Sequence, residues 1–209
     1  MEEIEKTQIT AEAVRPLLEI GVAAFTLPGQ SESGDRHIIA PFVGGMVVAA
    51  VDGIGHGAEA AKVARIAQEV VRSYPAEALT LLIKRCHEEL RGTRGVVMSI
   101  AAFNYAEKVM TWAGVGNVQG TLLSMDRHSQ PHTLLVSMGT LGQQLGAVYP
   151  AKLPLRSGDT LIFSTDGVRE DFSQRLNLKL SPQQLADDIL ARTVRHTDDA
   201  LVLAARFLV

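Results

Sequence analysis

A single cysteine, Cys86, stands among 209 residues, so no internal disulfide can staple this chain. No apolar run approaches the roughly 20 residues that a membrane-spanning helix requires. The opening MEEIEKTQIT is acidic and lacks the basic-then-apolar order of a secretory leader. The net charge is −3 and no long block of either sign occurs, which leaves little for nucleic acid or an anionic membrane to grip. Repeats, low-complexity tracts and linkers are missing too. These absences predict one domain over residues 1–209: a cytoplasmic monomer that binds neither nucleic acid nor membrane. What is present is ordinary globular material, 46% apolar and 21% charged, enough for a sizeable core.

Hydrophobic periodicity divides the chain. Alternation predicts strands at Val14–Phe25, His37–Pro41 and Met46–Val51. A helix follows Gly57, burying Ala61, Val63, Ala64, Ala67, Val70 and Val71. A second helix has Pro75 in its first turn, an apolar stripe of Leu79, Leu82, Ile83, Cys86 and Leu90, and Gly92 as its stop. Short strands joined by polar turns then follow at Val96–Asn104, Lys108–Ala113, Val118–Ser124, His132–Val136, Ala151–Leu155 and Thr160–Ser164. A third helix opens at Ser181-Pro182, with Gln184 completing a capping box, and the last strand is Ala200–Phe207. A doubly wound parallel sheet would need helices between most strands, and the middle of the chain has none. The order suits an α+β fold, a four-layer α-β-β-α sandwich of two antiparallel sheets flanked by helices.

The chemistry lies in aspartates beside glycines. Asp35 follows Gly34, Asp52 precedes Gly53, Asp166 precedes Gly167, and Asp198 and Asp199 open the last strand. Asp52 and Asp166 leave strongly apolar strands, where an unpaired carboxylate is costly. Cationic side chains do not accompany them all, whereas a shared divalent cation would satisfy them together. The six histidines are scattered and no HExxH occurs, which disfavours zinc; all-oxygen ligation suits Mn²⁺ or Mg²⁺. Two such ions would deprotonate a bridging water for in-line attack on phosphorus. The glycines Gly53, Gly55 and Gly57 are spaced G-x-G-x-G, not as a dinucleotide fingerprint, and neither a P-loop nor a C-x₅-R loop exists.

"AAVDGIGHGAEAA", "WAGVGNVQ", "LIFSTDGVRE" and "TDDALVLAA", in this order, resemble the metal-dependent (type 2C) serine/threonine protein phosphatases. The similarity is greatest to their compact bacterial SpoIIE, RsbU and RsbX branch, and the short length is most like the stressosome type, RsbX. The resemblance implies the α-β-β-α fold, Mn²⁺ or Mg²⁺ in a two-ion site, and hydrolysis of phosphoserine or phosphothreonine. It further implies phosphorylated STAS-domain stressosome proteins as substrates, and negative feedback in a stress-signalling, partner-switching pathway. By position it implies Asp35, Asp52, the Gly53 carbonyl, Asp166 and Asp198 as metal ligands, with Asp199 the near miss. Asp52 and Asp166 would then act through the bridging water. The chain departs from the larger relatives in three ways. Ile54 follows the Asp-Gly pair where they place a histidine, and His56 comes two later; their phosphate-gripping arginine has no counterpart; and Val168 to Ser181 is too short for their flap. His56 as proton donor, and Arg36 and Arg169 as phosphate contacts, are the candidates left for those roles.

Simpler readings stand beside these. Asp-Gly is a common turn dipeptide, His56 suits a surface helix start, and Asn117 suits a turn. Cys86 suits packing, and Glu59, Lys62 and Glu69 a solvated helix face. A catalytically weak docking member of the same fold, a phosphatase for an anti-sigma-factor antagonist, and an enzyme for a small phosphoester are the alternatives.

Overall fold

A computed structural model describes residues 17–125 and 131–209. Two antiparallel sheets are stacked in it. The first holds β1 (Leu18–Phe25), β12 (Ala200–Phe207), β11 (Thr160–Ser164), β6 (Gln119–Leu123) and β7 (His132–Leu134), in that spatial order. The second holds β10 (Ala151–Pro154), β5 (Val109–Val115), β4 (Val96–Asn104), β3 (Gly45–Gly53) and β2 (Asp35–Phe42). A two-residue-per-strand hairpin, β8 (Gly139–Thr140) with β9 (Gln144–Leu145), lies outside both.

Period-two alternation explains the layering. On β3, Val47, Ala49 and Val51 face outward and pack against α1 (Gly57–Ser73) and α2 (Leu79–Glu89) through Val63, Ala67, Leu82 and Cys86. Val48 and Ala50 face inward, meeting Leu161, Phe163, Leu201 and Leu203 of the other sheet. The even residues of β12 and β11, Val202, Ala204 and Ile162, face α3 (Pro182–Thr193) through Leu185, Ala186 and Ile189. Helices, sheet, sheet and helix therefore form four layers, as the periodicity predicted. Ser181 caps α3 by accepting from the Gln184 amide at 3.3 Å, while Gln184 Oε1 accepts from the Ser181 amide at 3.1 Å, the expected capping box. Gln183 of the same helix bonds both the N–H and the carbonyl of Val22, engaging the backbone of edge strand β1.

Several elements differ from expectation. Pro75 lies in the turn between α1 and α2 rather than in the first turn of α2, which starts at Leu79 after Ala78. A proline restricts the residue before it to extended backbone, so it punctuates the α1–α2 connection instead. The strand expected to Val136 ends at Leu134, and the β8–β9 hairpin has no sequence signal of its own because each arm is two residues. A 3₁₀ turn spans Glu170–Arg175. Positions 14–16 of the first predicted strand lie outside the described residues.

Candidate metal centre

The alternation that builds the core also aims the acids. Asp52 continues the inward series of Val48 and Ala50, and it pairs in register with Asp35 across the β2–β3 ladder. Both carboxylates therefore stand side by side at one end of the second sheet, turned toward the first. Thr165 continues the inward series of Leu161 and Phe163, and its hydroxyl donates to Asp35 Oδ2 at 2.6 Å across the gap between sheets. The Thr165 hydroxyl oxygen in turn accepts from the Leu201 amide at 2.8 Å, so Asp35 is tied through Thr165 to the β11–β12 pair.

Asp198 and Asp199 divide the labour at the head of β12. Asp199 is buried and accepts from the backbone amides of Leu27 (2.8 Å) and Gly34 (2.7 Å), which fixes the loop leading into Asp35. Asp198 Oδ1 accepts from the Asp199 amide at 2.8 Å. Asp166 follows β11 and is more open; Asn117 donates to its Oδ2 at 3.0 Å. Asn117 thus holds a candidate ligand as well as shaping a turn. The loops bearing Asp166 and Asp198 are laced together, Arg195 N–H to the Gly167 carbonyl at 2.8 Å and Arg169 N–H to that of Thr193 at 2.9 Å. Gly167 is required there, since a Cβ would run into the Asp199 carbonyl.

The result is a concentration of negative charge. Burial pushes the Asp52 carboxyl up to about 9, with Asp35, Asp166, Asp198 and Asp199 adding repulsion. Burial likewise raises Asp35 to about 7 against the opposing Thr165 hydrogen bond, and Asp166 is raised by burial and by Asp198. Such a set is stable with a proton or a cation among it. The donors are all oxygen, which matches the hard divalent ions expected from the sequence. Gly53 adds a backbone approach: a Cβ there would strike the Ala60 carbonyl, so the chain packs against α1 more tightly than any larger residue allows. Among the described residues no three Asp, Glu, His or Cys side chains are arranged so that they could hold an ion as they stand. Thr165, Asn117 and the Asp199 amide each hold one carboxylate of the set, and mutual repulsion opposes their closing on one point.

The remaining candidates are dispersed. His56 is the exposed N-cap residue of α1, with no capping hydrogen bond from its side chain. Arg36 lies on the outward parity of β2 and pairs with Glu32 at 3.5 Å, beside Arg65 of α1, on the face opposite Asp35. Arg169 turns to Asp171 (3.4 Å) and donates to the Arg192 carbonyl at the end of α3 (2.9 Å). The cation that the structure does bring to the acids is Arg195. With Asp166, Asp198, Asn117 and Thr197 it lines a cleft of about 340 Å³, and its charge opposes the rise at Asp166. Among the described residues it makes no ion pair. Sequence reading missed it because it sits in the α3–β12 connection, which His196 turns through a left-handed backbone conformation (φ 58°).

Comparison with known proteins identifies the family. The family described as Stage II sporulation protein E (SpoIIE) matches residues 43–208. The phosphoserine phosphatase RsbX of Bacillus subtilis (strain 168) is 26% identical over 172 residues, covering 82% of this chain and 85% of that protein. A chain solved in work on the bacterial stressosome as a modular system controlling secondary messenger signalling superposes with a TM-score of 0.82 at 31% identity, over 90% of this chain and 99% of that one. RsbX in complex with magnesium superposes with a TM-score of 0.81 at 22% identity, over 91% and 95% of the two chains. Matched over most of its length, and carrying the two-sheet architecture of those structures, the chain belongs to the SpoIIE family of type 2C protein phosphatase domains.

Proposed function

We propose that this protein removes phosphate from phosphoserine or phosphothreonine on STAS-domain stressosome proteins, in the cytoplasm, as negative feedback on a partner-switching stress pathway. The observation that carries the reading is the inward-facing set of Asp35 and Asp52 opposed to Asp166 and Asp198, holding more buried negative charge than its neighbours neutralise. Asp35, Asp52, Asp166, Asp198 and the Gly53 carbonyl would hold Mn²⁺ or Mg²⁺, two ions in the full site. Bound there, the ions supply an activated water for in-line attack and offset charge on the phosphoryl group. The chain's own residues do the rest. Thr165 and Asn117 fix the carboxylate positions, and the N-terminus of α1 favours an incoming anion. Arg195, without an ion-pair partner among the described residues, grips the phosphate in preference to Arg36 and Arg169, whose guanidinium groups already have partners. His56, exposed four residues from Asp52, is the imidazole at hand for the departing serine oxygen.

The test is release of phosphate from p-nitrophenyl phosphate, and from a phosphorylated STAS-domain protein followed by mass spectrometry, with Mn²⁺ present. Asp52→Asn should lower turnover by on the order of 10³-fold, because it removes a ligand whose charge the ions need. Full activity in chelator, or near-normal turnover by the variant, overturns the reading. A second reading, a docking member with little catalysis, draws on the absence of a finished three-side-chain ion shell among the described residues. Calorimetric titration with Mn²⁺ separates the two, since that member would take up no ion.

A further inference from the structure

Among the described residues two that are not glycine adopt a left-handed backbone, Lys108 (φ 52°) and His196 (φ 58°). Lys108 lies in the tight turn from β4 to β5, where such a residue is expected. His196 closes no hairpin. It lies in the α3–β12 connection, between Arg195 of the acidic cleft and the candidate ligand Asp198. A residue with a Cβ enters this conformation at a cost, so its occurrence beside a candidate site points to a use.

The chain is anchored on both sides of His196. On the helix side Val194 forms an antiparallel bridge with Val168, and the bonds of Arg195 to Gly167 and of Arg169 to Thr193 flank it. On the strand side Asp199 receives the Leu27 and Gly34 amides, and β12 begins at Ala200. Only residues 196–199 remain to redirect the chain between these anchors. The His196 imidazole meets the Phe25 ring edge to face, with centroids 5.0 Å apart and planes at 85°. Phe25 ends β1 and Leu27 lies just beyond it, so one segment supports the connection twice, by a ring at His196 and by an amide at Asp199. Arg169 shows what happens without such a turn. It lies on the segment bonded to Thr193–Arg195, yet the chain after it enters a 3₁₀ turn and its guanidinium goes to Asp171 and the Arg192 carbonyl. Arg195, followed by the left-handed residue, lines the cleft with Asp166 and Asp198.

We propose that His196 is a positioning residue for phosphate binding: its left-handed turn, held against Phe25, aims the Arg195 guanidinium into the acidic cleft. This rests on the reading of Arg195 as the phosphate grip. His196 acts through its neighbour, and the end of β1, which carries none of the acids, is thereby tied to the binding of the anion.

The probe is inorganic phosphate, titrated calorimetrically into the Mn²⁺-loaded protein, beside KM and kcat for p-nitrophenyl phosphate. Arg195→Ala should weaken phosphate about tenfold or more, the loss expected for one charge-assisted hydrogen bond. His196→Val, β-branched and opposed to a left-handed backbone, should approach that loss. His196→Asn, which tolerates the backbone but lacks the ring contact, and Phe25→Leu should each lose about threefold. In every variant KM should rise more than kcat falls. The double variant decides the role: Arg195→Ala with His196→Val should bind phosphate within about twofold of Arg195→Ala alone, because nothing is left to aim. Additive losses would mark His196 as merely structural and overturn the proposal, as would unchanged phosphate affinity in His196→Val and Phe25→Leu. Mn²⁺ affinity should stay within about twofold in the His196 and Phe25 variants, and a parallel fall would assign the turn to Asp198 and overturn the proposal too. Thermal melts check folding, and His196→Asn serves in the same cycle should His196→Val not fold. Full phosphate affinity in Arg195→Ala would sink the grip and the aim together. Inertness of the parent protein toward p-nitrophenyl phosphate would sink the phosphatase reading instead, and the phosphate titrations would still decide the aim.

Discussion

Strand β3 serves two environments that differ by one residue's step. Val51, facing out, is sealed against α1 and α2; Asp52, facing in at the strand's end, meets other carboxylates. The first region is cohesive, since every apolar contact there favours the folded state. The second is repulsive, since folding brings together charges that water would keep apart. A strand turns from one to the other because its side chains alternate, so the core that holds Val47, Ala49 and Val51 also orients the acid. The lesson is that cohesion on the helix side offsets a cost at the acidic end, and the two regions should respond oppositely to removal of a side chain's defining property.

That opposition is sharpest between two substitutions. Leu82, on the fully buried face of α2, should cost about 2–5 kcal/mol as Leu82→Ala, while the surviving folded molecules retain normal turnover. Asp52→Asn, neutral and of the same shape, should do the reverse: a higher melting temperature in chelator at pH 8, and turnover with Mn²⁺ lowered on the order of 10³-fold. Thermal melts beside p-nitrophenyl phosphate assays read both axes. A lower melting temperature for Asp52→Asn would break the comparison, because it would show the acidic end to be cohesive as well.

Asp199 lies between the regions and should move both axes. Its carboxylate receives two backbone amides, that of Gly34 buried and that of Leu27 partly so, and Asp199→Ala leaves both without this acceptor. The expected cost is about 1–3 kcal/mol. Because Gly34 precedes Asp35, turnover should fall too, and Asp199→Asn, which keeps one acceptor oxygen, should recover part of each. An Asp199→Ala protein that loses stability with normal turnover would place Asp199 with the core alone.

How far the sequence showed this division depends on the range of the signal. The faces of β3, β11 and β12 are legible because alternation is local, and so is the α3 capping box, whose three determinants span four residues. The presence of acids at strand ends is legible for the same reason. What each acid does is not. Asp198 and Asp199 are adjacent letters, and only the loop from Leu27 to Gly34 folding back over Asp199 distinguishes them. Arg195 and Asp166 are brought together by backbone bonds between two connections far apart in sequence.

The smallest expected effect concerns protons. Asp35 and Asp52 bind a proton more tightly folded than unfolded, with carboxyls raised from near 3.8 to about 7 and about 9. A group raised in the folded state adds stability that is whole below its unfolded value and is lost as pH rises through the folded one. The chelated protein should therefore lose several degrees of melting temperature between pH 5 and 9 on this account, and Asp52→Asn should lose fewer. Mn²⁺ should flatten the decline, since a divalent ion bound by the ionised acids replaces the protons they shed. The helix-side core, holding no titrating carboxylate, gives no such slope, so Leu82→Ala should shift the whole curve downward without changing its shape. A slope unaltered by both Mn²⁺ and Asp52→Asn would mean that the pH dependence arises elsewhere and that the acidic end is not the repulsive region described above.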